Sequence, residues 1–456
     1  MILLKLLLIL YCANLTVAVI INPTIPQQNI IFLRFGKLNF ILSFPDSFLA
    51  RNEALQQPVF RRYLAFRFLL ICALNMQTTI LAYWIFHITN DVRSVGEMGL
   101  WEAIPAIGCS LFSGHFVDQK EKKTLLLNCT IIYLLLAAFF LMLTYAHGTH
   151  LSTTYTVRLV YFGILTGGVV RAFIGPGTFS MLGLLVPRSM YPNATAWSST
   201  AWQIGAVIGP LMGGLMIGVS GVHGSFMIVA ALLIFPLIAI LMIPKQEIMK
   251  KVKEPIVQSL KKGMGFVFKT PVILSVLSLD MFAVLFGGAV ALLPAYARDI
   301  LQVGEMGFGM LRAAPGIGAI ITLMLLSFIP LETKPGIKLL SCIAGFGICM
   351  IIFGISTSFA LSFGILILSG MFDAVSVVIR GTILQLYTPD EMRGRVAAVN
   401  TMFISSSNEL GEVESGYTAS WMGTVNSVVF GGSMTLVVVL ITLLAVPSLR
   451  VLKLKK

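Results

Sequence analysis

The sequence predicts an all-α membrane protein of twelve transmembrane helices, arranged as two pseudo-symmetric six-helix bundles. Three observations carry this expectation. Of 456 residues, 57% are hydrophobic and only 11% charged, with a mean hydropathy of +0.92; soluble domains carry about 25% charged residues because their surfaces face water. Apolar stretches close to the ~20 residues needed to cross a bilayer recur along almost the whole chain. Short sequence matches also recur at a separation of about 200 residues. The strand-length alternation of an outer-membrane barrel is not the pattern here.

Taken in order, the apolar runs place helices at 62–88, 97–116, 124–146, 155–183, 194–219 and 224–243 in the first half. The second half places them at 271–297, 304–329, 338–356, 359–386, 396–420 and 424–447. The formal net charge of +13 is unevenly spread over the connections. Alternate ones carry Arg61, Arg62 and Arg67; Lys120, Lys122 and Lys123; Arg188; Lys334 and Lys338; Arg393 and Arg395; and the tail Arg450, Lys453, Lys455 and Lys456. The opposite connections carry little beyond Arg93, Arg158 and Arg298. Basic loops stay in the cytoplasm, so both ends of the twelve-helix core are expected there, in a bacterial inner membrane.

Residues 244–270 form the longest internal polar stretch and contain Lys245, Lys250, Lys251, Lys253, Lys261, Lys262 and Lys269. The expected organisation is a six-helix bundle over 51–243, a cytoplasmic linker over 244–270 and a second bundle over 271–456. The linker ends in an amphipathic segment whose lysines meet anionic lipid headgroups; a nucleic-acid partner is not expected. Residues 1–50 stand outside this plan. Their apolar start resembles a signal peptide, but export there would place Arg34, Lys37, Arg61 and Arg62 outside and invert the charge pattern. An extra N-terminal anchor and a mis-assigned start both remain open.

The repeat is specific in its order. VGEMG occurs at 95–99 and 303–307, each ahead of a Pro-x-Ile-Gly, Pro105 to Gly108 and Pro315 to Gly318. FGIL follows at 162–165 and 363–366, then PRSMYPNA at 187–194 against PDEMRGRV at 389–396. Three matches in one order make a six-plus-six design, common among secondary transporters.

Three motifs sharpen the reading. The loop after the second helix runs Gly114-His-Phe-Val-Asp118-Gln-Lys-Glu-Lys122-Lys123, combining a turn-forming glycine with an acid that can accept bonds from a helix start. The fourth helix carries Arg171 followed by Gly175 and Gly177. The fifth carries Gly205, Gly209, Pro210, Gly213 and Gly214, whose glycines permit close helix approach. At these residues the sequence resembles the major facilitator superfamily, from about residue 55 to the end. The first segment is similar to that family's GxxxDRxGRK loop, with Gln119 in place of arginine and Glu121 in place of glycine. The second is similar to RxxxGxG, and the third matches GxxxGPxxGG, the motif of exporters that exchange drug for protons. The second half looks like the drug:proton antiporter-3 branch, which includes siderophore and macrolide exporters. The resemblance implies a proton-coupled exporter of small amphiphilic molecules, monomeric and without cofactor. A lipid or lysolipid flippase of the same fold stands as the alternative.

Charge inside a bilayer costs at least about 2.5–3.5 kcal/mol per residue on insertion scales, so each such residue needs a reason. The candidates are Arg171, Asp280, Asp373, Arg380, Glu409, Glu412 and Glu414. In the family resembled, helices one, four, seven and ten line the central path, which implies that Arg171, Asp280, Asp373 and Gln77 face it. Asp373 and Arg380, seven residues apart on one helical face, can also pair with each other. Superposing Pro105 on Pro315 sets Glu102 against Arg312, each three residues before its proline, and suggests an external salt-bridge gate between them.

Other chemistry lacks its residues. No GxxxxGK[ST] is present, so the chain carries no P-loop for ATP. His87, His115, His147, His150 and His223 are dispersed without ligand spacing, and Cys12, Cys72, Cys109, Cys129, Cys342 and Cys349 contain no CxxC. A metal site is not expected. A polytopic membrane acyltransferase would need a His/Asp cluster, and His87 with Asp91 is the nearest approach.

Overall fold

The computed structural model describes residues 30–35, 38–43, 53–245, 256–326, 335–389 and 392–450. Twelve long helices dominate it. They are α1 (Pro58–Thr89), α2 (Val92–Gln119), α3 (Lys122–Ala146), α4 (Thr153–Leu185), α5 (191–220) and α6 (222–241) in the first half. The second half holds α7 (Pro271–Gly287), α8 (Gly304–Leu326), α9 (Pro335–Ile355), α10 (Phe359–Tyr387), α11 (Arg393–Met422) and α12 (Thr424–Ala445). Two short strands, β1 (Ile30–Phe35) and β2 (Leu38–Ser43), pair antiparallel ahead of the helices. The N-terminal apolar run, Cys12, Lys334 and the lysines of the tail lie outside the described residues.

The helix ends follow local chemistry. Pro58 opens α1, where a missing N–H costs nothing. Asn90 closes α1 in the left-handed conformation (φ 51°). Asp91 then caps α2 by accepting from the Arg93 amide. Between α2 and α3 the cap is Glu121, which accepts from the Lys123 and Thr124 amides at 3.0 and 2.7 Å. The residue that departs from the loop motif thus takes the capping task. Lys123 in turn donates to the Leu241 carbonyl at the end of α6.

The segment Tyr191–Leu241 breaks at Gly221, whose φ of +67° favours glycine. The contacts of its two halves run in opposite directions. Gly205, Gly209 and Gly213 climb α1 from Phe68 to Thr79, while Phe226 meets Trp84 and Met242 returns to Arg62. The expected seventh helix is shorter than 271–297. It ends at Gly287, continues as a 3-10 turn at Val290–Leu292, and closes with a π-turn at Tyr296–Ile300. Gly287 and Gly288 weaken helix propagation there, and Pro294 lacks the N–H that a continuous helix would use.

Nine stretches among the described residues are long and apolar enough to cross a membrane, and Asn193–Leu241 holds two crossings because it folds back. Helices α2 and α11 complete the set of twelve although they are less apolar. They pack on each other, so protein covers the faces that carry their charges. Within the halves α1 packs on the α5–α6 segment, α2 on α4, α8 on α10 and α9 on α12. Between the halves the main contacts are α2 with α11 and α5 with α8. The linker contributes one amphipathic helix, Ile256–Lys269, which buries Val267 against α7, α10 and α11 and leaves Lys261, Lys262 and Lys269 exposed.

Candidate functional site

A cavity of about 240 Å³ lies between the halves. Helix α1 contributes Asn75 and Thr78, α2 Met98 and Glu102, and α4 Arg171; from the other half come Arg312 of α8 and Asn408, Glu409 and Glu412 of α11. The broken end of α7 supplies Gly288, Val290 and Ala291. The helix geometry explains the grouping. Glu409 and Glu412 are one turn apart on one face of α11, and the glycines of α2 let that face come close. A side chain at Gly99 would meet the Glu409 carbonyl at 2.6 Å and the Glu412 Cβ at 2.8 Å.

The ionic contacts differ from the expected gate. Glu102 is ion-paired with Arg171, and Glu409 approaches the same guanidinium at 4.0 Å. Arg312 shares the cavity but forms no ion pair within 4.0 Å or hydrogen bond with the described residues. The repeat places Glu102 and Arg312 at equivalent depth, but Arg171 on the neighbouring helix of the same half reaches Glu102. Arg171 is therefore an arm that touches both halves.

Asp280 and Arg380 form a second ion pair, from α7 to α10. Their side chains are 8% and 5% exposed, and neither lines the cavity. The alternative pairing of Arg380 with Asp373 is not formed. Asp373 is half-buried on α10 with no hydrogen bond or ion pair to the described residues. Gln77 is buried in the first half, while its neighbours Asn75 and Thr78 reach the cavity. Glu414 lies beside the Ser415 hydroxyl at 3.5 Å.

The glycine motif of α5 divides its work. Gly205, Gly209 and Gly213 seat α5 on α1; a Cβ at Gly209 would lie 2.6 Å from the Cys72 carbonyl oxygen and 2.7 Å from the Asn75 Cβ. Gly214 turns to the other half and meets Gly309 of α8, Cα to built Cβ, at 2.7 Å. Gly96 and Gly416 make the corresponding contact between α2 and α11 at 2.8 Å. In the loop motif, Lys122 donates to the Lys120 carbonyl at 2.8 Å and to that of Val117. The side chains of Gly114, His115 and Asp118 lie outside the described ones.

Above the cavity, at the end bearing the α1–α2 turn, polar contacts cross between the halves. Tyr83 donates to Glu305 at 2.8 Å. Arg93 donates to the Tyr417 hydroxyl at 3.0 Å and stacks over its ring at 4.4 Å. Arg298 donates to Asn90 at 2.6 Å and lies 4.1 Å from the Phe86 ring centroid. Reading the sequence missed these residues. Arg93 and Arg298 stood out only as rare basic residues in their loops, and nothing in the chain marked their partners. Among the described residues no group of three His, Cys, Asp or Glu side chains is arranged to hold a metal. The described cysteines, Cys72, Cys109, Cys129, Cys342 and Cys349, are free.

Comparison with known proteins gives a consistent result. The family model described as the Major Facilitator Superfamily matches residues 7–412, so the match begins well before residue 55. The chain is 25% identical over 402 residues to the enterobactin exporter EntS of Escherichia coli O1:K1 / APEC, covering 86% of this chain and 93% of that protein. It is 25% identical over the same span to the exporter of that name from Shigella boydii serotype 18. Among solved structures, a bacterial homologue of the human lysosomal transporter Spinster, inward-facing and occupied, superposes with a TM-score of 0.68 at 14% identity, covering 86% of this chain and 97% of that one. A POT family transporter in complex with a thioalcohol-conjugated peptide gives 0.64 at 12% identity, covering 86% and 96%. At these identities the structural matches speak for the fold alone.

Proposed function

Because the chain belongs to the major facilitator superfamily, we propose that it is a secondary active transporter that exports small amphiphilic molecules, of siderophore or drug type, in exchange for protons. It works as a multi-pass protein of a bacterial cytoplasmic membrane, with the linker and both ends of the helical core in the cytoplasm. The observation that carries this reading is the charged cavity between two helical halves, closed off at the α1–α2 end by polar contacts that cross between them. With the linker in the cytoplasm, that end is external, and we read this state as inward-facing. Alternating access then consists of breaking that end and closing the other around the same cavity.

The cavity suits an amphiphile. Val95, Met98, Val284 and Val290 offer apolar contact, while Asn75, Thr78 and Asn408 offer hydrogen bonds that fix orientation. Three carboxylates, Glu102, Glu409 and Glu412, face two guanidiniums, Arg171 and Arg312. One carboxylate is therefore in excess. Protonation of the excess group is the cheapest way to balance the site, because an uncompensated charge away from water is expensive. Asp373 is the second proton-carrying candidate, since it has no ion pair among the described residues; Asp280 is held by Arg380 and has a structural task. The relatives named as enterobactin exporters favour a siderophore-type cargo over other amphiphiles.

The test uses inverted proteoliposomes. Accumulation of a radiolabelled catecholate siderophore is expected when the lumen is acidified, and is expected to disappear when nigericin collapses the pH gradient. Accumulation unaffected by nigericin would reject proton antiport. Uptake of fluorescent lysophospholipid in place of the siderophore would favour lipid translocation.

A further inference from the structure

Two helix crossings in this protein are built alike but carry opposite charges. In the first half, Gly168 of α4 sits against Pro105 of α2, with 2.6 Å between a built Cβ and the proline ring. In the second half, Gly370 of α10 sits directly against the backbone of Pro315 on α8. Three residues before each proline stand Glu102 and Arg312; three residues after each glycine stand Arg171 and Asp373. Equal offsets from similar glycine–proline crossings bring each pair to a similar relative position, because helical rise and turn fix where a side chain leaves its axis. In the first half that position yields the ion pair Glu102–Arg171. In the second half the charges are exchanged, guanidinium on α8 and carboxylate on α10, and the pair is open. Neither Arg312 nor Asp373 has a hydrogen bond or an ion pair within 4.0 Å to the described residues.

We infer that Arg312 and Asp373 are a switchable ion pair, the charge-reversed counterpart of Glu102–Arg171: closed when Asp373 is ionised, and open, with Arg312 turned into the cavity, when Asp373 carries a proton. This rests on the transport reading only for its use, since the pair itself is a property of the crossing. In this open arrangement Arg312 faces Glu412 of α11 and Glu102 of α2 across the cavity, so closure exchanges those carboxylates for Asp373. On α10 itself Arg380 is held by Asp280 of α7. On α8 Glu305 is held by Tyr83 at the outer end. Helix α9 brings Cys342 and, at the linker end, Lys338. Arg312 is thus the cation that the crossing directs at Asp373. Aspartate is one methylene shorter than glutamate, so closure requires the Arg312 arm to swing from the cavity towards α10. That swing changes the cavity charge by one unit, which ties the proton on Asp373 to what the cavity will hold.

The experiment is thermal unfolding of the purified full-length protein in nanodiscs without cargo, from acidic to mildly alkaline pH. Four forms are compared: wild type, Arg312→Gln, Asp373→Asn and the double variant. If the pair exists, Arg312→Gln loses stability relative to wild type as pH rises, because ionised Asp373 is left without its cation. Asp373→Asn added to it removes that loss. A pH profile of Arg312→Gln parallel to wild type, or a loss that persists in the double variant, overturns the inference. Should Arg312→Gln fail to accumulate, Arg312→Met with and without Asp373→Asn gives the same comparison: a loss at high pH that Asp373→Asn removes supports the pair, and no interaction between the two substitutions overturns it. No cargo enters the measurement, so a coupled pair with no catecholate efflux would fault the transport reading alone. Proton-driven efflux with independent substitutions would fault the pair alone.

Discussion

The Tyr83 hydroxyl donates a 2.8 Å hydrogen bond to the Glu305 carboxylate, joining α1 of one half to α8 of the other. A hydrogen bond to a charged group contributes about 1.5–3 kcal/mol when buried, and less where water reaches it. With Arg93–Tyr417 and Arg298–Asn90 it forms a polar rim around the glycine contacts of the closed end.

Loosening that rim should shift the protein towards the state open at the α1–α2 end. Tyr83→Phe combined with Asn90→Gly removes two of these cross-half hydrogen bonds, glycine keeping the left-handed conformation at the end of α1. A cysteine placed at Thr78, on the cavity wall, is expected to react faster with a membrane-impermeant maleimide added from the α1–α2 side. Unchanged labelling would mean that the glycine contacts alone hold the end shut.

The glycine contacts give a second prediction with two distinct outcomes. Gly209→Leu drives a side chain into the Cys72 carbonyl and Asn75, and overpacking of this kind costs about 1–3 kcal/mol or more; the melting temperature and the yield of folded protein should fall. Gly309→Ala places one methyl where Pro210 and Gly214 of the other half stand at 2.7–2.8 Å. It should leave each half folded and block closure of the α1–α2 end, so transport falls while the melting temperature changes little. Equal effects of the two substitutions would contradict the division of the motif between intra-half and inter-half packing.

The two acids of α7 and α10 should separate in the same manner. Asp280→Asn leaves Arg380 buried without its partner, a change that typically costs about 3–5 kcal/mol, and Arg380→Gln in the same chain should recover part of it. Asp373→Asn removes no hydrogen bond or ion pair to the described residues; stability should be kept while efflux driven by a pH gradient is lost. Efflux by Asp373→Asn at the wild-type rate would remove Asp373 from the coupling scheme.

A charge exchange tests the cavity pair. The double substitution Glu102→Arg with Arg171→Glu should recover activity that either change alone abolishes, because the two groups meet directly. The exchange of Glu102 with Arg312 should not, since Glu102 bonds within its own half in this state. Recovery by the second exchange and not the first would restore the external gate suggested by the repeat.

Much of this architecture is legible along the chain because its cause is local. Apolar length sets where a helix crosses a membrane, so the helices from 62–88 to 424–447 lie within a few residues of α1 to α12, apart from the early end of α7 at Gly287. Solvation also requires that charges within those runs face protein or a cavity, which pointed to Arg171, Glu409 and Glu412. The repeat, read as a pattern of letters, located the equivalent positions Glu102 and Arg312. Sequence by itself did not determine which charges meet. Arg171 holds Glu102, Asp280 holds Arg380, and Asp373 and Arg312 stay apart, because an ion pair depends on the rotation of two helices about their axes and on which side chain reaches further. Those quantities come from packing between segments a hundred or more residues apart, such as α1 against α5 through Gly209 and α5 against α8 through Gly214 and Gly309. The same holds for Tyr83 and Glu305, 222 positions apart: each is an ordinary polar residue near a helix end, and only the closed arrangement of the two halves makes them partners.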